Sequence, residues 1–473
     1  MKINLEKIKK VHLVGIGGIG VSAIARLLHK KDIQVSGSDL VRSKITNSLK
    51  KLGVKVYIGQ HGPENIERDI DLVVHTVAVP KDNPELIQAK KFKIPILTFP
   101  QILGELTKNK FTIAVSGTHG KTTTTSLASL VLEKGGFDPT VVIGSNLETF
   151  KGNAKVGKSK YFVIEADEYR KAFLNYLPNI IVLTSLEYEH PDCYKNLKAV
   201  KQAFNDFLKK LPARGMVIAC FDDANVRDLI EKSKAYSESS RRVMSYGFSE
   251  DVTFRIGNVI QKRRGTTFQI TKNNELIGQF KLIIPGIHNV LNATAAIALA
   301  LELGISIGAI KKALAGFKGA WRRFEKKGEI KGVTIIDDYA HHPTEVQATL
   351  AAARKLLGDR KIICVFQPHH YQRTKALFDD FVKSFSNADE IVIPDIYSVA
   401  GREDKLTERE VSSKMLVEEI AKLGEDVKYI GELDEVVKYL AEHTKKEDVV
   451  ITMGAGDVTE VGDKLLKRLK KKN

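Results

Sequence analysis

A chain of 473 residues with 13 prolines, 43% hydrophobic and 28% charged residues has the make-up of an ordinary folded protein, which excludes the disordered, collagen-like and disulfide-rich classes. At roughly 150 residues per domain the length predicts about three domains. Lysine and arginine exceed aspartate and glutamate by 74 − 57 = 17, an excess that favours anionic partners such as nucleotides, nucleic acid or acidic lipid and says nothing about the fold.

Cys193, Cys220 and Cys364 are scattered, with no metal-ligand spacing among them, which fits a reducing compartment. The N-terminal apolar stretch lies inside a glycine-rich pattern, as a buried strand and turn do and a signal peptide does not. No run of about 18 apolar residues suggests a membrane span. The expectation is a soluble cytoplasmic protein, with the basic run from Lys467 to Lys472 either an arm or a solvated helix end.

In chain order, a strand over 11–14 leads into Gly15-x-Gly17-Gly18-x-Gly20 and a helix beginning SAIARLLHK. Glycines there let the backbone turn tightly against a pyrophosphate whose charge rests on the helix N-terminus. Asp39, at the end of the next strand-like segment, stands where a ribose-binding carboxylate would sit. The pattern leaves a nicotinamide cofactor and another nucleotide diphosphate equally open. After a strand over 72–74, a second strand, glycine turn and helix appear at FTIAVSGTHGKTTTTSLASLVLEKGG. Lys121 would neutralise β- and γ-phosphates, backbone N–H groups would wrap them, and the Thr122 hydroxyl would take Mg²⁺. Val115 occupies the first glycine position of the usual phosphate-loop pattern, so Gly117 starts a shorter loop.

Strands over 161–164 and 180–183 run into Glu165-Ala-Asp167-Glu168 and into Thr184, Glu187 and His190. Carboxylates at strand ends of an open α/β sheet face the ligand edge, so Glu165 could complete a Mg²⁺ shell and His190 could ligate a second cation. Between residues 246 and 284 the pattern turns to alternation around Asn273-Asn274, as in a hairpin. His288 and Asn289 open a helix over 289–303 that Gly304 stops, and they suit hydrogen bonding to a base edge as well as capping. Strands over 333–336, 362–366, 390–393 and 449–452 suggest another sheet, with polar clusters at Asp337 to Pro343 and at His369-His370-Tyr371-x-Arg373. Alternating strands and helices predict parallel sheets. The boundaries fall near Lys108 and Gly319, giving domains 1–108, 109–318 and 319–473.

Taken together, GIGGIGVSAIA, SGTHGKTTTT, EADE, PGIHNVLNATAA, WRRFE, DDYAHHPTE, FQPHHYQRT and MGAGDV make the chain resemble a bacterial Mur ligase from residue 15 to residue 458. The resemblance implies an α/β protein of three domains. A Rossmann-like N-terminal domain would bind the UDP-sugar through Gly15, Gly17, Gly18, Gly20 and Asp39, with no nicotinamide. A P-loop-type central ATPase domain with a β-hairpin extension would follow, and then a Rossmann-like C-terminal domain. It further implies an ATP-dependent, Mg²⁺-requiring ligase of peptidoglycan precursor synthesis that joins L-alanine to the lactyl carboxylate of UDP-N-acetylmuramate through an acyl phosphate. Gly117, Thr118, His119, Gly120, Lys121, Thr122 and Thr123 would form the ATP phosphate loop. Thr122, Glu165 and His190 would hold the metal, and His288 and Asn289 would meet the adenine. Arg323 and Asp338 would contact ATP, while Tyr339, His369 and Arg373 would line the alanine pocket.

The chain departs from the usual pattern at Tyr169-Arg170, Ser185, Glu189 and His370, and EADEY is similar to a family branch that attaches a murein tripeptide to the same sugar. Two readings of other classes compete. A nicotinamide-dependent oxidoreductase leaves the second phosphate loop unused, and a nucleic-acid-binding ATPase lacks interleaved aromatic and basic residues. Neither nucleic acid nor membrane insertion is expected, and oligomeric state is not readable.

Overall fold

The computed structural model describes residues 5–233, 241–262, 265–398 and 405–471; residues 1–4 and Lys472, last of the terminal basic run, lie outside them. Two compact units are present, one drawn from residues up to 186 together with 201–254 and 294–313, the other from 187–200, 255–293 and 314 onward.

In the first unit, five parallel strands run in the order Lys55–Ile58, Gln34–Asp39, Lys10–Val14, Leu72–His75, Ile96–Thr98. Val11, Leu13, Val14, Leu72, Val73 and Val74 are fully buried, as continuous apolar strands are when both faces of a parallel sheet are covered. The order reverses direction beside the first strand, the switch point where open α/β sheets take ligands. Covering helices begin where side chains supply caps: Ser43 and Thr46 form a reciprocal capping box before Lys44–Lys51, and the Asn83 side chain accepts from the Glu85 and Leu86 N–H groups before Pro84–Lys91.

A second sheet of this unit carries Arg242–Gly247, Met216–Cys220, Ile180–Leu183, Phe111–Ser116, Tyr161–Glu165 and Thr140–Leu147, neighbours in that order and parallel. Gly152–Lys155 adds an antiparallel edge. The helix Lys121–Lys134 is buried along nearly its whole length although it holds four threonines and two serines. Thr125, Ser126 and Ser129 satisfy their hydroxyls on carbonyls one turn back, those of Lys121, Thr122 and Thr125.

In the second unit, Glu325–Ile330 pairs antiparallel with Val333–Asp338, and Val449–Met453, Ile362–Phe366, Glu390–Ile393 and Val427–Tyr429 follow in parallel. Two apolar layers flank this sheet, one around Phe366, Phe381 and Phe385, the other around Val436, Leu440, Val461 and Leu465. The helix Thr459–Lys471 buries Val461, Leu465 and Leu469 and exposes Lys467, Arg468, Lys470 and Lys471, so the described part of the basic run is a solvated helix face rather than an arm. Gly265–Lys272 and Glu275–Leu282 form the expected hairpin. Its Asn273 and Asn274 have φ of 50° and 70°, the left-handed pair that a two-residue turn between right-twisted strands requires.

The α/β reading with parallel sheets holds. Short half-buried strands such as Ile96–Thr98 and Val427–Tyr429 were not foreseen, and the first long helix starts at Ile19, three residues before the expected segment. None of the three cysteines is disulfide-bonded; Cys220 and Cys364 are buried and Cys193 is half-buried. Among the described residues no helix is long and apolar enough to cross a membrane.

Candidate active site

The first glycine turn is tied to the strand beside it. Gly15 and Ile16 both donate their N–H to the Ser38 carbonyl at 2.9 Å, and Gly17 donates to Asp39 Oδ2 at 2.7 Å. Gly15 has φ +78° and a Cβ there would fall 2.6 Å from Thr76 Cγ2, so no other residue fits without displacement. Asp39, the last residue of its strand, therefore shapes the turn. The helix Ile19–His29 begins at Gly18 without a side-chain cap, which leaves its first N–H groups for an anion.

The second turn, residues 117–120, links Phe111–Ser116 to Lys121–Lys134. Gly117 has φ +137° and its missing Cβ would meet Thr184 Oγ1 at 2.2 Å. Thr118 donates its N–H to the Ser185 carbonyl and His119 to Ser185 Oγ, each at 2.9 Å, while Thr184 Oγ1 donates to the His119 carbonyl at 2.5 Å. Lys121 Nζ donates to the Gly117 and Thr118 carbonyls at 2.6 and 3.1 Å and to both Glu168 oxygens at 3.2 and 3.0 Å. Burial pulls the Lys121 ammonium down, but the carboxylates of Glu168, Asp167 and Glu165 override it and raise its pKa, so Lys121 is a fixed cation. Thr122 Oγ1 donates to Glu165 Oε1 at 2.9 Å, and Gly144 N–H donates to Glu165 Oε2 at 2.8 Å. A hydroxyl and a carboxylate converging at a helix N-terminus form a hard-oxygen pair of the kind a small divalent cation prefers. Thr123 is buried in the first turn of the same helix.

The second unit holds the remaining expected residues. His190, with φ +55°, accepts at its carbonyl from Cys193 and Tyr194. His288 and Asn289 lie in the first turn of Ile287–Glu302. Asn289 Nδ2 donates back to the Pro285 carbonyl at 2.6 Å, and burial with Arg323 nearby holds the His288 imidazole down to about 4. Arg323 lies over the Tyr339 ring, 5.3 Å from its centroid, and 3.7 Å from Glu345. Asp338 accepts from the N–H groups of Phe324 and Ala340 at 2.7 and 2.8 Å, yet burial pushes its carboxyl up to about 6. Arg373 Nε donates to Glu189 Oε1 at 2.8 Å, and its Nη1 meets His369 Nδ1 at 3.1 Å. Both partners of that ion pair are buried. Burial would raise the Glu189 carboxyl, but Arg373 and the neighbouring histidines hold it well below the usual range. The His369 ring stacks on Tyr397 at 5.3 Å, and His341 bridges the rings of Tyr339 and His369 at 5.3 and 6.3 Å.

Models of three Mur ligase domains match the chain: the family's catalytic domain over residues 10–111, its middle domain over 115–300 and its glutamate ligase domain over 322–456. A UDP-N-acetylmuramate–L-alanine ligase of Caldanaerobacter subterraneus subsp. tengcongensis is 43% identical over 473 residues, all of both chains. The chain belongs to the Mur ligase family. Among solved structures, a UDP-N-acetylmuramate–alanine ligase from Thermotoga maritima superposes with a TM-score of 0.83 at 29% identity, covering 98% of this chain and 100% of that one. A murein peptide ligase from Psychrobacter arcticus gives 0.74 at 25%, covering 98% and 99%.

Within this Mur ligase the structure brings Lys121, Thr122 and Glu165 together in one unit and gathers Arg323, Asp338, Tyr339, His369 and Arg373 in the other. Several partners were not assigned roles from sequence: Glu168 on Lys121, Ser185 under the turn at residues 117–120, Glu189 on Arg373 and Glu345 beside Arg323. Glu168 sits in the EADE run and could have been found as the next acid after a strand end. Ser185 and Glu189 stood out only as departures from the family pattern.

Proposed function

We propose that this Mur ligase joins L-alanine to the lactyl carboxylate of UDP-N-acetylmuramate with ATP, through an acyl phosphate, in cytoplasmic peptidoglycan precursor synthesis. The observation that carries the reading is the 43% identity over the full length of an L-alanine ligase. The phosphate loop around Lys121 agrees with it.

A carboxylate is a poor electrophile in water, so the reaction must activate it. A lactyl carboxylate oxygen attacks the γ-phosphorus, and the bond to ADP breaks with its electrons leaving on ADP. The deprotonated alanine nitrogen then attacks the acyl carbon and inorganic phosphate departs. Lys121 exchanges its loop carbonyls and Glu168 for phosphate oxygens, and the N–H groups of residues 120–123 at the helix start surround the rest. Thr122, Glu165 and His190 are the proposed Mg²⁺ ligands; the ion, when bound, neutralises charge where two anions meet. Gly15, Gly17, Gly18, Gly20 and Asp39 form the proposed UDP-sugar site, and His288 and Asn289 the adenine site. Arg323 and Asp338 are proposed to hold ATP, and Tyr339, His369 and Arg373 to hold alanine. His190 and His369 are candidates for the base that takes the amine proton. The division into 1–108, 109–318 and 319–473 belongs to this proposal and is supported by the extents of the matched domains.

The similarity to a murein peptide ligase and the Tyr169-Arg170 pair favour a second reading, with L-Ala-γ-D-Glu-meso-diaminopimelate as the amine. The deciding assay is inorganic phosphate release from ATP with UDP-N-acetylmuramate and either amine, followed by mass spectrometry of the UDP product in direct competition. L-Alanine product is expected. Preferential capture of the tripeptide establishes the second reading, and phosphate release indifferent to the UDP-sugar refutes both.

A further inference from the structure

We propose that Asn153 is a positioning residue that couples the sugar-nucleotide turn to the phosphate loop through one β-hairpin. This rests on the assignment of the two glycine-rich turns given above. The hairpin is formed by Thr140–Leu147 and Gly152–Lys155, and its pairing is irregular between Val142 and Leu147. Within that irregular stretch Gly144 donates to Glu165 Oε2 at 2.8 Å, and the other Glu165 oxygen accepts from the Thr122 hydroxyl at 2.9 Å. A Cβ on Gly144 would lie 2.7 Å from Glu165 Oε1, so this strand approaches the metal-binding pair as closely as glycine allows.

The opposite strand reaches the other turn. Asn153, 1% exposed, donates from Nδ2 to the Ile19 carbonyl and, at 3.1 Å, to Ser22 Oγ. Ser22 in turn donates its hydroxyl to the Ile19 carbonyl at 2.9 Å and its N–H to the Gly18 carbonyl at 2.9 Å. Ile19 and Ser22 lie in the first turn of the helix Ile19–His29, the one assigned above to the UDP pyrophosphate. Gly152, beside Asn153, lies where a Cβ would be 3.3 Å from the Arg26 guanidinium on that helix. From Thr122 to Gly144 and from Asn153 to Gly18 the steps are hydrogen bonds, and between Gly144 and Asn153 the path runs through the flanking strand pairs Val142 with Ala154 and Leu147 with Gly152. An amide suits the junction because its two N–H donors serve two acceptors one helical turn apart, a task a carboxylate cannot perform. When a cation and phosphate re-aim Glu165, Gly144 follows, the pairs on either side of the irregular stretch pass the shift across the hairpin, and Asn153 carries it to the helix start.

Such coupling is a ratio of affinities and must be reciprocal. Calorimetry would measure the Kd of UDP-N-acetylmuramate alone and with saturating Mg²⁺ and a non-hydrolysable ATP analogue, then the converse, on full-length protein. In wild type each ligand should shift the other's Kd by at least about fivefold. In Asn153→Ala the shift should fall to within about twofold of none, with each ligand still bound singly. Ser22→Ala, a milder change that removes one acceptor, should lose part of the shift and keeps the idea testable if Asn153→Ala does not fold. A purely structural Asn153 would lower Tm in the variants and leave the ratio as in wild type, which overturns the proposal, as does a wild type without any shift. Wild-type protein that binds no UDP-N-acetylmuramate sinks the functional reading itself.

Discussion

Removing the Arg322 side chain should destabilise the second unit by about 3 kcal/mol, at the lower end of the range for breaking a buried ion pair. Arg322 is 4% exposed and Asp337 fully buried. Arg322 Nε donates to Asp337 Oδ2 at 2.9 Å, and its terminal nitrogens reach the Gly454 carbonyl and, at 3.3 Å, the Gly456 carbonyl. Truncation would leave a buried carboxylate without its counter-charge and two carbonyls without a donor. Thr452 and Thr459 still donate to Asp337 at 2.6 and 2.9 Å, which is why the lower end applies. The reporter is intrinsic, since the chain's one tryptophan is Trp321, next in sequence and 39% exposed. Urea unfolding followed by its fluorescence reports on this unit, where a whole-chain signal would mix two transitions. Asp337→Asn alone removes the acceptor charge, and combined with Arg322→Ala it should recover at least about 1 kcal/mol relative to the sum of the single losses, the signature of a coupled pair. A loss below about 1 kcal/mol for Arg322→Ala, or additive single losses, would show that this pair is not what fastens residues 320–325 to the Gly454–Gly456 turn.

Lys121→Ala should abolish ligation while calorimetry finds UDP-N-acetylmuramate binding nearly unchanged; lost sugar affinity in a folded variant would refute the division of labour between the two turns. Glu165→Gln should raise the Mg²⁺ concentration for half-maximal rate, because it removes a charged oxygen from the metal pair; an unchanged half-saturation sinks the assignment. Arg373→Lys should raise the KM for alanine far more than that for ATP, since lysine cannot hold Glu189, His369 and a substrate carboxylate at once, and steady-state kinetics separate the two. His288 and His341 are both held down to about 4 by burial, below the 6.5 of an exposed imidazole. The folded state therefore disfavours their protonation, and the stability they contribute is complete above pH 6.5 and lost as pH falls toward 4. Urea midpoints measured across that window should fall less steeply in His288→Asn than in wild type.

Features written in contiguous residues were legible from the sequence. The two strand–glycine–helix segments, the Asn273-Asn274 hairpin and the Gly304 stop depend on local backbone conformation, and glycine and asparagine advertise it. The turn before Lys121 was legible because two of the groups that Lys121 meets, the Gly117 and Thr118 carbonyls, are its neighbours in sequence. Its counter-ion Glu168, the Ser185 prop and the Arg322–Asp337 clamp come from positions 15 to 67 residues away, and pattern alone does not pair them. The helix Lys121–Lys134 hides its burial for a different reason. Its hydroxyls are satisfied on its own backbone, so a polar composition covers an interior position that periodicity would place at the surface. Arg373 was legible as a cation, but its internal partner Glu189 was visible only as an unusual letter.

The cysteines have a practical corollary. Burial pushes the Cys220 thiol up to about 12 and raises that of Cys364 as well, so at neutral pH neither presents the thiolate that alkylating reagents need. Cys193 is the accessible one, and its N–H donates to the His190 carbonyl at 2.8 Å. A maleimide or spin label added to the native chain would therefore attach at one point, three residues from the proposed metal ligand. Substrate-dependent changes there could be followed spectroscopically without first engineering a cysteine-free background.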